Sequence, residues 1–265
     1  MRRDTAERNG RAAEGRGPLP TFASSVEERL RADILLGRLR PGRLRIRALM
    51  ERYEVGQTPL REALNRLAAD GLLIAEDQRG FRVPDVSAEE LEELTRTRCW
   101  LEERALRESI AAADEAWEEG LVLAGHRLFR TPRTLEAGLL NPEWETRHRA
   151  FHEALISNCG SRWLLGFCRQ LTDRHQRYRH LAAGRSLDSR DVEAEHRAIL
   201  DAALRRDADA AVALLTAHYW RTAQILLADS GLFGAEGSAV LARGDGRGRV
   251  RLAVPVAQQD RAPDS

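Results

Sequence analysis

Four histidines in the C-terminal half of the chain stand at positions that could bind a metal ion. His148 and His152 are four residues apart, which places both rings on one helix face together with Trp144. His196 and His218 each fall on the apolar face of a later helical segment. An i, i+4 pair can chelate one ion, and neighbouring helices can supply the remaining ligands. Hydrogen-bonded core histidines would give the same pattern, so these residues alone leave both interpretations open.

A short segment near the N-terminus carries side chains that could contact DNA bases. Thr58-Pro59 predicts the start of a helix with Thr58 as its cap, and Gly71 predicts its end. The apolar face of this helix comprises Leu60, Ala63, Leu64 and Leu67. Arg61 and Asn65 point elsewhere, and in a major groove Arg pairs with guanine and Asn with adenine. The alternative is a surface helix with a solvated basic face.

The flanking sequence favours DNA binding because it has the pattern of a winged helix-turn-helix. Helical periodicity runs from Phe22 to Gly37 and from Ile46 to Tyr53, and a short Gly-containing turn follows. Residues 72–76 and 81–84 flank a polar turn, which predicts a β-hairpin wing.

The rest of the chain predicts an all-helical bundle of six or seven helices over residues 85–232. Ser87-Ala88-Glu89-Glu90 is a capping box that opens the first of them. Later helical blocks are separated by Pro, Gly and Asp residues. Residues 174–180 form a basic stripe that contains His175 and His180, which we interpret as a solvated face. The expected fold is therefore mainly α.

Composition sets the limits of the functional interpretation. A length of 265 residues suggests two domains, and the net charge of +1 means that any DNA surface must come from local clustering. Cys99, Cys159 and Cys168 form no C-x-x-C pair, as expected of reduced thiols in a cytoplasmic protein. No apolar run is long enough to span a membrane. Residues 1–21 and 233–265 are predicted to be a disordered arm and tail.

Residues 22–84 resemble the winged helix-turn-helix of the GntR family of bacterial transcription regulators. The matching segments are Arg40-Pro41-Gly42, Val55-Gly56-Gln57-Thr58-Pro59-Leu60-Arg61-Glu62-Ala63-Leu64, Asp70-Gly71-Leu72 and Arg79-Gly80-Phe81-Arg82-Val83. The resemblance implies DNA contacts from Arg47, Gln57, Thr58, Arg61, Arg79 and Gly80. The family's turn usually has Ser-Arg before Thr-Pro, whereas this chain has Gly56-Gln57. Because Gln favours adenine, the operator is expected to differ from the usual family half-site.

Residues 85–230 resemble the FCD-type effector domain of the FadR branch of that family. The matching segments are Arg98-Cys99-Trp100-Leu101-Glu102, Phe151-His152-Glu153-Ala154-Leu155 and the run from Glu195 to Ala203, followed by His218. In metal-binding members an Asp, a His four residues later and two further His ligate the ion. The resemblance therefore implies a metal site in which His152, His196 and His218 occupy the His positions and His148 replaces the Asp.

This replacement changes the expected chemistry of the site. Four neutral imidazoles leave a divalent ion at its full +2 charge, which favours Zn, with Ni as the alternative, over Mn or Mg. Glu145 or Asp173 could partly restore the balance. The site should also attract an anionic effector, with Arg98 as a carboxylate clamp. The alternative for Arg98 is a structural ion pair with Glu102.

Together these features predict a homodimeric transcription regulator that binds a palindromic DNA operator. A small carboxylate effector bound near the metal would change its affinity for that operator. Repression is expected from family habit. The chain has no nucleophile motif and no evident general base, so an enzyme is not expected. Two alternatives remain open: the metal could be purely structural, or the bundle could be a metalloenzyme-like domain.

Overall fold

The computed structural model describes residues 22–77, 79–136, 140–182, 190–229 and 231–233. The predicted arm and almost all of the predicted tail lie outside these residues. None of the helices in the described ranges is both long and apolar enough to cross a membrane.

The N-terminal domain is a winged helix-turn-helix, as predicted. Its helices are α1 (Phe22–Leu35), α2 (Ile46–Tyr53) and α3 (Gln57–Ala69), and its strands are β1 (Gly42–Arg43), β2 (Ile74–Glu76) and β3 (Gly80–Val83). The strands form an antiparallel sheet in the order β1-β3-β2. Strands β2 and β3 are the predicted wing, whereas β1 was not expected from the sequence.

The start of α3 differs from the prediction. Gly56, with extended φ and ψ of −72° and 165°, is the N-cap, and no side chain caps the helix. Thr58 lies inside the first turn and is exposed, so its predicted capping role is wrong. The end of the helix is as predicted, because Gly71 follows it with a φ of +72°.

The C-terminal domain contains six helices within the described residues: α4 (Ala88–Ala111), α5 (Glu115–Phe129), α6 (Pro142–Ile156), α7 (Arg162–Leu181), α8 (Val192–Leu204) and α9 (Ala208–Ala228). Each helix is preceded by an N-cap residue whose side chain accepts a hydrogen bond from an amide of the first turn. These residues are Ser87, Asp114, Asn141, Ser161, Asp191 and Asp207. Such a cap contributes about 1 kcal/mol of helix stability. The polar residues between the apolar runs therefore fix where the helices start.

Helix α7 packs against α4 of its own domain and against α1 of the N-terminal domain. Its C-terminal half is the basic stripe that we interpreted as a solvated face, and that interpretation is wrong. His175 is 2% exposed, and Arg177 and Tyr178 are also buried. The buried side chains of the stripe face the elements that pack against α7 rather than solvent.

A buried carboxylate joins the helices of the N-terminal domain. Asp33 on α1 accepts hydrogen bonds from the Tyr53 hydroxyl at 2.6 Å, from Arg52 at 2.6 Å and from Arg38 at 3.2 Å. Burial alone would raise the pKa of this carboxyl, but the three donors outweigh it and hold the pKa below its ordinary value. Asp33 is therefore stabilising in its ionised form.

We expect Asp33→Asn to destabilise the protein by about 1–3 kcal/mol at pH 7, because it weakens three charge-assisted hydrogen bonds. A folded-state pKa below the unfolded value gives stability that is present above the unfolded pKa and is lost as pH falls through the folded pKa. The difference between wild type and variant should therefore shrink as the pH is lowered from 7 toward 3. Urea denaturation over this range measures it, with the exposed Asp77→Asn as control. A difference that is independent of pH would contradict this assignment.

Candidate DNA interface and metal centre

An electropositive cleft lies between the recognition helix and the wing. Its volume is about 570 Å³, and its lining comprises Arg43, Leu44, Arg45, Ile46, Arg61, Arg79 and Gly80. The cleft thus brings together three of the predicted DNA-contacting residues, Arg61, Arg79 and Gly80. The described lining residues include four arginines and no carboxylate, which suits a phosphate backbone.

The other predicted contacts lie outside the cleft lining. Gln57 and Thr58 are exposed at the N-terminus of α3, the end of a recognition helix that contacts base edges. Arg47 projects from α2 with its side chain 94% exposed and forms an ion pair with Glu51 at 3.4 Å.

Arg43 and Arg45 were not predicted from the sequence to face DNA. Leu44 between them is buried, and its N–H donates to the Phe81 carbonyl at 2.8 Å. Arg43 Nε in turn donates to the Arg79 carbonyl at 3.0 Å. The alternation of Arg and apolar residues from 43 to 46 was a usable signal, since it places both guanidinium groups opposite the core.

The four histidines converge in the bundle core, as predicted. His148 and His152 come from α6, His196 from α8 and His218 from α9, and each is at most 6% exposed. One possible ligand atom from each ring lies within 4.8 Å of the others. His152 Nε2 is 3.1 Å from His148 Nε2 and 3.3 Å from His196 Nε2. Two nitrogens that bind one tetrahedral zinc ion are separated by about 3.3 Å, so the donor set fits a borderline divalent metal.

Burial keeps these rings neutral. It is the main cause that lowers the pKa of His148, His152 and His218 well below the ordinary value, and nearby arginines and histidines lower it further. Burial also lowers the pKa of His196 to about 3, although Glu195 opposes the shift. Neutral imidazoles have the free lone pair that metal binding requires.

Three buried or half-buried Arg–Glu pairs surround the cluster. Arg98 Nε lies 2.6 Å from Glu102 Oε1, Arg179 Nη2 lies 2.6 Å from Glu145 Oε2, and Arg190 is bonded to Glu195 through two nitrogens. The pairing largely balances the charge around the rings. For Arg98 it confirms the ion pair with Glu102 that was the alternative to a carboxylate clamp.

A different kind of group contacts the Nδ1 atom of each of three rings. Arg179 Nη1 is 3.0 Å from His148 Nδ1, the Tyr219 hydroxyl is 2.9 Å from His152 Nδ1, and Glu195 Oε2 is 2.9 Å from His218 Nδ1. The Tyr219 hydroxyl also bonds Glu102 and accepts from Arg98 Nη2 at 3.0 Å. Arg179, Arg190 and Tyr219 were not predicted from the sequence. Arg179 and Arg190 come from α7 and from the segment before α8, whereas Tyr219 follows His218 on α9, and this adjacency was a usable signal.

Two cavities lie beside the cluster. An open cleft of about 440 Å³ is lined by residues that include His196, Arg130 and Arg133. A small inner cavity of about 20 Å³ is lined by residues that include His148, Arg179 and His218. The two cavities share Arg133, Trp144, Arg190 and Val192 in their walls.

The two domains are joined by an ionic chain through α7. Asp173, which is 4% exposed, accepts from Arg31 Nη1 on α1 at 2.7 Å and also from Arg149 on α6. Arg31 bonds Asp70, the residue that ends α3. Asp173 therefore bonds these arginines rather than the histidine cluster. Glu145 lies near the cluster but is paired with Arg179, and the carboxylate that contacts a ring directly is Glu195.

A glycine allows close approach at the same boundary. A Cβ atom at Gly71 would lie 1.8 Å from Nη2 of Arg174 on α7. The absence of a side chain at the end of α3 thus lets the bundle contact the recognition helix.

A winged helix-turn-helix joined to a helical bundle of this kind defines a two-domain bacterial transcription regulator. The model of the gntR family of bacterial regulatory proteins matches residues 22–83, and that of the FCD domain matches residues 93–221. The chain belongs to the GntR family and carries an FCD domain.

Relatives support this assignment. The chain is 42% identical over 207 residues to the uncharacterized HTH-type transcriptional regulator BphR of Paraburkholderia xenovorans, covering 76% of this chain and 84% of the relative. It is 33% identical over 194 residues to the HTH-type transcriptional repressor GlaR of Escherichia coli, covering 71% and 88%. The fold is similar to that of E. coli McbR/YncC, with a TM-score of 0.66 and 24% identity over 78% of this chain and 98% of that one. These proteins are named as regulators, not as enzymes.

Proposed function

We propose that this protein is a sequence-specific repressor whose affinity for its operator changes when a small carboxylate binds beside a divalent metal ion in the bundle. The observation that supports this most directly is a connection through α7. The helix contacts the histidine cluster through Arg179, and it contacts the DNA-binding domain through Asp173. Repression is supported by the name of GlaR, a relative that is 33% identical.

The DNA side of the proposal assigns two kinds of contact. Gln57, Thr58 and Arg61 contact base edges from the start of the recognition helix. Arg47, Arg79 and Gly80, with Arg43 and Arg45, contact the phosphate backbone. A homodimer presents two such surfaces to a palindromic operator about one helical turn apart. A protein that regulates the chromosome in this way works in the cytoplasm.

The bundle side of the proposal assigns a metal and an anion. The histidine cluster holds a divalent ion, with Zn preferred and Ni as the alternative. When bound, the ion supplies a Lewis-acidic centre for a carboxylate oxygen. The Arg179 guanidinium group lines the inner cavity beside the cluster, and the open cleft of about 440 Å³ gives the effector access.

Coupling between the two sides follows from the ionic chain. Arg149 is adjacent to His148 on α6, so a movement of α6 changes the contact between Arg149 and Asp173. Asp173 shares its charge with Arg31, which also holds the end of α3 through Asp70. An effector that binds one arrangement of these ion pairs more tightly than another shifts the protein toward that arrangement. The resulting change in operator affinity is set by the difference between the effector's affinities for the two arrangements.

Fluorescence anisotropy with DNA from the protein's own upstream region and with sites selected from a random library tests DNA binding. Gln57→Arg should change the selected sequence, because it replaces an adenine-preferring side chain with a guanine-preferring one. Arg45→Ala should instead weaken binding to all sequences alike and reduce the salt-dependence slope by about 1.

The exposed Arg127→Ala on the bundle serves as the matched control and should leave both properties unchanged. Absence of salt-sensitive, sequence-specific binding at any selected site would contradict the proposed function. An unchanged selected site for Gln57→Arg would contradict its role in specificity while leaving DNA binding intact.

Asp173→Asn tests the coupling. The wild type should bind its operator with different affinity before and after metal is removed by a chelator. We expect the variant to lose most of that difference, because Arg31 and Arg149 no longer share an anionic partner. It should also lose about 1–3 kcal/mol of stability, since it weakens two buried charge-assisted contacts.

The exposed Asp201→Asn on α8 is the matched control and should keep the wild-type response. If chelation lowers the melting temperature of the wild type but leaves operator affinity unchanged, the metal is purely structural and the sensing proposal is wrong. If Asp173→Asn keeps the full response, sensing stands and this path of coupling is wrong.

A further inference from the structure

We propose that His148 is not the fourth metal ligand. Instead, His148, whose proton is positioned by Arg179, donates a hydrogen bond to an anionic oxygen of the effector. That oxygen would occupy the metal coordination position that His152, His196 and His218 leave open. This inference rests on the proposed metal and effector site, and it specifies the role of each histidine there.

The contact with Arg179 determines which nitrogen of His148 carries the proton. A guanidinium group has only donors, and Arg179 Nη1 lies 3.0 Å from His148 Nδ1. Nδ1 must therefore accept, so the proton of the neutral ring is on Nε2. The Nε2 atom points toward the other rings, 3.1 Å from His152 Nε2. A protonated nitrogen has no lone pair to give a metal, so His148 is a donor at this position.

The ring of His148 is also held in orientation. Trp144 stacks on it with ring centroids 4.6 Å apart and an angle of 13° between the planes. Arg179 is fixed in turn by Glu145 at 2.6 Å. The stacking and the ion pair together oppose a rotation that would turn Nδ1 toward the cluster.

His218 has the opposite proton arrangement. Its Nδ1 lies 2.9 Å from Glu195 Oε2 and 3.0 Å from Arg190 Nη2. Both hydrogens of Arg190 Nη2 already have oxygen acceptors, which are Glu195 Oε2 and the His218 carbonyl at 2.9 Å. Nδ1 of His218 therefore donates to Glu195, and Nε2 keeps its lone pair for a metal. A carboxylate behind a ligating imidazole is the usual arrangement at zinc sites.

His152 also presents a lone pair to the cluster. The Tyr219 hydroxyl donates its one proton to Glu102 and accepts from Arg98 Nη2. Its 2.9 Å contact with His152 Nδ1 is therefore one in which the histidine donates. We assign the proton of His196 to Nδ1 as part of the same proposal, so that its Nε2, 3.3 Å from His152 Nε2, is the third ligand nitrogen. Three histidines and one open position are the ligand set of a zinc site that binds a further group.

The surroundings of His148 fit a small oxyanion. The inner cavity beside His148, Arg179 and His218 has a volume of about 20 Å³, which is room for one oxygen-sized group. Its wall is shared with the open cleft, so the remainder of a larger molecule can extend outward. A ligand oxygen there would lie beside the His148 ring and the Arg179 guanidinium group, which both line the cavity. The ligand class is therefore a carboxylate or an anion of similar size.

Metal content, zinc affinity by chelator competition and cobalt(II) absorption spectra test the inference on the full chain. His148→Leu should keep one ion per chain with zinc affinity within about threefold of wild type, whereas His152→Leu should lose at least about a hundredfold. Acetate titrated into the cobalt-loaded protein should bind about tenfold more weakly to His148→Leu than to wild type, because one hydrogen-bond donor is lost. The exposed His126→Leu is the matched control.

A zinc affinity that falls as far in His148→Leu as in His152→Leu would overturn the inference and leave the proposed metal site standing. Equal acetate affinity in His148→Leu and wild type would also overturn it. Failure of the wild type to bind any ion would instead contradict the proposed metal site itself.

A second variant keeps the test decisive if His148→Leu does not fold. Arg179→Met combined with Glu145→Leu removes both charges of the pair together and frees His148 Nδ1 to take the proton. His148 can then ligate through Nε2, so the cobalt bands should move from the wild-type positions. Unchanged bands in this double variant would overturn the inference.

Discussion

The burial of four imidazole rings in the core of a helical bundle is the constraint on which the rest of this domain depends. Each ring has two nitrogens, and a buried polar group without a partner costs several kcal/mol in unfavourable cases. Three of the rings meet this requirement at Nδ1: His148 and His218 each contact an Arg–Glu pair directly, and His152 contacts Tyr219, which is bonded to the pair of Arg98 and Glu102. The pairs differ in which member faces the ring, and this difference gives chemically distinct roles to histidines that look equivalent in the sequence.

Helix α7 places the same set of charges within reach of the DNA-binding domain. Arg179 lies at the histidine cluster, and Asp173, less than two turns earlier, bonds arginines from both domains. Gly71 permits Arg174 to approach the end of the recognition helix. The histidine cluster and the winged helix-turn-helix are thus connected by side chains of one helix. We therefore expect a conformational change at the histidine cluster to alter the position of the recognition helix.

Much of the fold was predictable because its signals are local. Helix α2 begins and ends at the predicted Ile46 and Tyr53, and Ser87 caps α4 through Glu90 as expected. Strand β1 was missed because two residues gain their strand character only from pairing with β3, about forty residues later. The buried α7 stripe was misjudged for the same reason, since α1 covers part of that helix. The convergence of the histidines followed from helical spacing, but their Nδ1 partners could not be predicted, because they depend on how five helices pack.

We propose that the bundle site and the DNA-binding surface are energetically coupled, and such coupling must be reciprocal. The most direct measurement is the zinc affinity of the protein when it is free and when it is saturated with its operator duplex. If the two sites are coupled, these two zinc affinities differ by the same factor by which zinc changes operator affinity. Identical zinc affinities in the free and DNA-bound protein would contradict the coupling.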